Sequence, residues 1–113
     1  MTSLSSITEF LQVTTMTDSA AAANALAASA VEARLAASAQ VVGPVYSFYW
    51  WEGSVEEAEE YQVIFKTTVE RYPVLERHLR DEHGYDEPEI ISTPVIGGSV
   101  SYLDWIRTET RPS

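Results

Sequence analysis

The stretch Val45-Tyr46-Ser47-Phe48-Tyr49-Trp50-Trp51 decides how this chain is read. Neighbours on a strand point to opposite faces of a sheet. Here both faces carry large apolar or aromatic groups, and only Ser47 is small and polar. Two helices can bury one of those faces. The other would offer a broad aromatic patch to water, which soluble monomers rarely do. The stretch therefore predicts a strand whose second face is covered by another copy of the chain.

Upstream, Gln40–Val42 belongs to the same strand, and Gly43-Pro44 marks a bulge, bend or edge because proline cannot donate to a ladder. Downstream, Gly53-Ser54 gives a turn and Tyr61–Lys66 returns as partner. Glu9–Thr15 reads as the first strand. A helix over about 19 to 37 follows, capped by Thr17 or Asp18, with Leu26, Ala30 and Leu35 at helical spacing. Thr67 or Thr68 caps a second helix running to about Glu82, with Tyr72, Leu75 and Leu79 on one face. Pro73 either kinks its first turn or sets its start, and Gly84 ends it. Glu89–Pro94 is a fourth strand, and Tyr102–Ile106 supplies one or two terminal turns of helix. The order β-α-β-β-α-β predicts an α+β, ferredoxin-like sandwich with both helices on one face, a long hairpin and a short C-terminal helix. Residues 1–7 are expected as a flexible tail, 8–109 as one domain and 110–113 as a second tail.

The composition narrows the function. A net charge of −10 with only seven Lys and Arg argues against nucleic acid, whose binding needs phosphates neutralised. The absence of cysteine excludes disulfides, thiolate metal sites and thiol catalysis, and suits a reducing cytoplasm. Residues 1–7 lack the basic and apolar regions of a signal peptide. The alanine-rich run from Ala20 to Ala39 is broken by Asn24, Glu32 and Arg34, so it reads as a helix in water, not a membrane span.

The two histidines, His78 and His83, are five apart and cannot share a helix face as i, i+4 ligands. His78 reads as a solvated helix residue. His83, at a helix end before Gly84-Tyr85-Asp86-Glu87-Pro88-Glu89, can join Glu89 on a hard or borderline cation, or it can interact with the last helix carbonyls. The acidic run Glu56-Glu57-Ala58-Glu59-Glu60 reads as a solvated hairpin face, with Glu60 the member placed to turn inward. Lys66, the sole lysine, can pair with Glu60, Glu89 or an anionic ligand. Trp51 reads as a packing anchor or a cleft wall. No G-x-S-x-G or phosphate-loop pattern is present, and no nucleophile–base pair, so the chain is not expected to be an enzyme.

Arg34-Leu-Ala-Ala37, Tyr49-Trp-Trp-Glu-Gly53, Lys66-Thr67, Pro73, His83-Gly-Tyr-Asp-Glu-Pro-Glu-Ile90 and Tyr102-Leu-Asp-Trp-Ile106, taken in order, resemble the CutA divalent-cation-tolerance family. The resemblance implies a homotrimer around a threefold centre, similar to PII-type signalling trimers, and a response to metal ions with weak binding of a divalent cation such as copper. The pattern residues it carries over are Trp51, Glu60, Lys66, His83, Tyr85, Pro88, Glu89, Tyr102 and Trp105. Of these, His83 and Glu89 are the metal candidates, and Trp51, Glu60, Lys66, Tyr85, Tyr102 and Trp105 the candidates for an intersubunit cleft. Two departures stand out: Ser38 where many relatives have cysteine, and Gly84 where many have proline. A second reading is a regulatory or scaffolding trimer that takes a small anion or a partner protein in that cleft.

Overall fold

The structure, a computed structural model, describes residues 8–112; the tail expected over residues 1–7 lies outside them, as does Ser113. Seven elements follow one another: β1 (Phe10–Thr17), α1 (Ala20–Glu32), β2 (Ser38–Trp51), β3 (Ser54–Thr68), α2 (Tyr72–Glu82), β4 (Ile90–Val95) and α3 (Val100–Glu109). The strands form one antiparallel sheet in the order β2-β3-β1-β4. This is the α+β arrangement predicted, with a long hairpin and a terminal helix.

The core lies between the sheet and the first two helices. Leu11, Val13, Val63 and Phe65 from the strands meet Ala23, Leu26 and Ala30 of α1 and Leu75 and Leu79 of α2. In β1 these inward residues alternate with the half-buried Gln12, Thr14 and Met16 on the opposite face. That second face is closed only at one end, where Phe10 and Ala37 pack with Ile106, Val95 and Leu103. Among the described residues no helix is long and apolar enough to cross a membrane.

Several boundaries differ from expectation, each for a local reason. Ser19, not Thr17 or Asp18, caps α1 by accepting the Ala22 N–H at 3.0 Å. The helix stops at Glu32 rather than continuing to residue 37, because Arg34 takes a left-handed conformation (φ 60°) that turns the chain out of the helix. Leu35, Ala36 and Ala37 are buried beyond that turn. The Ala37 N–H bonds Lys66 O at 2.8 Å, and the Thr67 hydroxyl bonds Leu35 O at 2.7 Å, so the alanines lead into the sheet instead of extending the helix. Thr68 accepts the Arg71 N–H at 3.2 Å, one turn ahead of α2, and Pro73 sits within the first turn, where a missing N–H costs nothing. His83, not Gly84, is the residue that leaves the helix. Helix α3 spans ten residues, longer than the one or two turns predicted.

The largest difference is in β3, which begins at Ser54 and so absorbs the whole acidic run. Glu52 (φ 48°) and Gly53 (φ 85°) both lie in the left-handed region that a two-residue type I′ hairpin turn requires. The register shifts between Val42 and Val45, placing a bulge at Gly43-Pro44 as the sequence suggested. Strand β1 pairs with β3 only from Thr17↔Tyr61 to Phe10↔Thr68. The hairpin from Val45↔Glu60 to Trp51↔Ser54 therefore projects past the rest of the sheet. It exposes Tyr46, Phe48, Trp50 and Trp51, Trp50 to 75%.

At the root of this arm Gly43 lies against the Tyr61 ring, and a Cβ there would run into it. Tyr61 packs on the core and cannot swing away freely. Gly43→Ala should therefore cost about 1–3 kcal/mol, the range for overpacking. This would appear as a lower urea midpoint with unchanged slope at fixed protein concentration; an unmoved midpoint would show that the ring gives way.

Candidate functional site

Three elements meet where β1 ends. Thr17 and Asp18 close β1, α1 brings Ala22, Leu26 and Ser29, and the end of α2 brings Glu82, His83 and Tyr85. Together they line a pocket of about 340 Å³, within the range of sites that take small molecules. A second depression, of about 470 Å³, lies on the other side of Tyr85, between Tyr49 and Trp51 of the arm and the 84–87 turn.

His83 is held at both ring nitrogens. Its Nδ1 accepts the Tyr85 N–H at 3.1 Å, which leaves the proton of the neutral ring on Nε2, 3.0 Å from the Thr15 hydroxyl. Thr15 is fully buried at an inward position of β1. The Tyr85 ring lies 5.1 Å from the imidazole, tilted by 42°. The hydroxyl of Tyr85 then donates to Glu60 Oε2 at 2.9 Å. Glu60 is only 8% exposed, so this bond satisfies a carboxylate cut off from most water. Tyr85 thus holds the imidazole through its backbone and the carboxylate through its side chain.

Desolvation lowers the His83 pKa below that of a free imidazole, opposed by the nearby Met16 backbone and by the negative charges of Asp18 and Glu60. Burial and the bond to Glu60 raise the Tyr85 pKa, so the phenol stays protonated and donating.

The sequence candidates are not all brought together. His83, Tyr85 and Glu60 form one connected group, and Trp51 lines the adjoining depression. Glu89 is exposed just ahead of β4 and lines neither pocket. Lys66 donates to Gln40 Oε1 at 2.9 Å, a neutral partner rather than the Glu60 or Glu89 considered for it. Tyr102 and Trp105 stack at 5.4 Å on α3, half-exposed and joined to His83 by no described hydrogen bond. His78 is not merely solvated: its Nε2 lies 2.8 Å from Ser29 Oγ, linking α2 to α1. Sequence reading missed Thr15 and Asp18 as site residues. Thr15 was detectable, as a polar residue where the alternation of Leu11 and Val13 calls for an apolar one.

Comparison with known proteins agrees with this architecture. The family model described as CutA1 divalent ion tolerance protein matches residues 11–109. The chain belongs to the CutA1 family. It is 38% identical over 91 residues to the divalent-cation tolerance protein CutA of Pectobacterium atrosepticum, covering 80% of this chain and 83% of that one. It is 40% identical over 88 residues to the chloroplastic CutA 1 of Oryza sativa, covering 78% of this chain but only 50% of the longer rice protein. The solved CutA1 structure from Oryza sativa superposes with a TM-score of 0.90 at 34% identity, over 95% of this chain and 98% of that one.

The lowered His83 pKa has a direct consequence for this CutA1-family chain. Unfolded, the ring takes a proton near pH 6.5; folded, it does so only at lower pH. Its contribution to stability is thus fully present above about pH 6.5 and is lost as pH falls through the folded value. The stability gap between the natural protein and His83→Gln should narrow from about pH 7.5 to about pH 5 in urea titrations. Parallel curves would show that His83 is not held neutral.

Proposed function

We propose that this chain works as a homotrimer in the response to divalent metal ions, and that it binds an ion such as copper weakly, through His83. Family membership supports the link to divalent cations. The observation that carries the weakness of binding is that both imidazole nitrogens already have partners, so a metal must displace the Tyr85 N–H or the Thr15 contact. Among the described residues no group of three or more His, Cys, Asp or Glu is placed to hold a metal. This donor set does not fit a tightly held resident ion. It suits a borderline cation that visits an imidazole with carboxylate help: from Asp18 and Glu82, which share the pocket, or from Glu89 ahead of β4. The reading assigns the chain no catalytic step and places it in the cytoplasm, supported by a sequence without cysteine.

The homotrimer is supported by the arm. Leaving Tyr46, Phe48, Trp50 and Trp51 in water forgoes on the order of 2 kcal/mol for each side chain. Summed over four, that is comparable to the whole stability of a typical domain. Copies that cover one another's arms recover it, and bring other chains close to the depression beside Trp51. One observation favours a second use of the assembly: Lys66 has only a neutral amide for company, and an ammonium so placed would accept a small anion.

Native mass spectrometry with Cu²⁺, and Mg²⁺ as control, tests the reading. A trimer that takes up copper in weak steps, lost in His83→Ala, is expected. A monomer, or unchanged copper uptake in His83→Ala, would overturn it. Phe48→Glu with Trp50→Glu should dissociate the assembly, since each charge would be buried at several kcal/mol; sedimentation velocity reads this directly.

A further inference from the structure

At the opposite end of β1 from His83 lies a smaller pocket of about 190 Å³, lined by Glu9, Thr68, Glu70, Arg71, Arg107 and Arg111, with Thr110 and Pro112 at its side. The chain has seven Lys and Arg against seventeen Asp and Glu, yet three of its cations surround this one cavity. They are not equally engaged. Arg107 is tied to Glu9 at 2.6 and 2.8 Å and to Asp104. Arg71 and Arg111 have no ion pair among the described residues. The Arg71 Nε is shut off from solvent and finds no hydrogen-bond acceptor, an orphaned donor that folded proteins seldom leave.

We propose that this pocket is a site for a tetrahedral oxyanion, a phosphate group, gripped by Arg71 and Arg111. Three features converge on that chemistry. An orphaned guanidinium donor calls for an acceptor, and phosphate oxygens match the guanidinium fork bidentately. The Nε is closed to solvent as it stands, so the side chain must turn for Nε and a terminal nitrogen to reach one anion. The volume is below the ~300 Å³ at which sites enclosing whole small molecules begin, but it exceeds several waters at about 30 Å³ each, so it fits a phosphoryl group and not a nucleotide. Glu9 is committed to Arg107, which leaves Glu70, exposed at the rim, as the one unpaired carboxylate of the lining. The site shares no residue with the His83 pocket and does not depend on the metal reading.

Calorimetry and thermal unfolding of the full chain test this with sodium phosphate against sodium chloride at equal ionic strength. Phosphate should bind and raise the melting temperature, as a native-state ligand must. Arg71→Gln should weaken that binding about tenfold or more, the loss of a charge-assisted contact, and Arg111→Gln should weaken it too. Arg77→Gln, the same charge change on an exposed face of α2, should leave it alone, and Glu70→Gln should tighten it. If Arg71→Gln does not fold, Arg111→Gln, in the exposed terminal turn, carries the comparison. A small phosphomonoester that binds better than inorganic phosphate would identify the group as part of a larger ligand; one that binds worse would identify free phosphate as the occupant. The proposal is overturned if phosphate acts no more strongly than chloride, or if Arg77→Gln loses as much as the pocket variants.

Discussion

The pairing of β2 with β3 beyond the end of β1 is the constraint on which the rest of this molecule depends. From Glu60 outward, β3 has a partner on one side only. An isolated two-stranded ribbon is marginal in water, so the arm must draw support from outside its own ladder. Its aromatic residues state how: they are a burial surface without a partner inside the chain. The same geometry leaves an open strand edge at Glu60, just where Tyr85 arrives from the end of α2. A shorter hairpin would remove both the arm and the neighbour that gives Tyr85 its place.

The polar chain Thr15–His83–Tyr85–Glu60 follows from that edge. Each group is largely withdrawn from water and would be costly alone; linked, each supplies the next with a partner. The structure places no steric demand on Gly84: its backbone is not in the left-handed region, and a Cβ there would meet nothing within 4 Å. The ring of His83 is instead tied locally by its bond to the Tyr85 N–H. Ser38 has a different consequence. Its hydroxyl is buried with no partner, a polar atom in a spot that a less polar side chain would fill at lower cost.

Element types and order were legible in the sequence because they rest on periodicity, and periodicity survives packing. The boundaries were not. The alanines at 36 and 37 favour a helix intrinsically, but a single left-handed Arg34 and two backbone-directed bonds into β3 outweigh that preference. Residues Glu56–Glu60 read by composition as a solvated hairpin face with the partner strand starting only at Tyr61, and they are strand because the I′ turn at Glu52-Gly53 fixes the register and the opposing aromatic residues supply the β propensity. In the site, His83, Tyr85 and Glu60 could be named since each stands at an element end or edge. Lys66 and Glu89 could not be placed, because side-chain pairing depends on cross-strand register and on exact element ends: Lys66 lies opposite Ser38, one diagonal step from Gln40, and Glu89 falls just ahead of β4.

The two ends of β1 differ in charge. Near Thr17 the side chains around the pocket are acidic, with Asp18, Glu82 and the carboxylate of Glu60 close to a neutral imidazole; near Phe10 three arginines outnumber Glu9 and Glu70. Eight residues of strand separate them, roughly 26 Å at the usual rise. Mobile ions screen exposed charges beyond about 8 Å at physiological salt, so direct attraction cannot link the two. A cation at one end and an anion at the other would bind independently unless β1 itself transmitted a shift. Val13 and Thr15 on the inward face of that strand are packed without solvent, and so stiff a core transmits strain, but coupling would still need two discrete arrangements that the two ions favour differently. Screening alone thus keeps the charges of the two pockets apart, and the acidic excess of the chain can serve cations at one end while leaving a cationic pocket intact at the other.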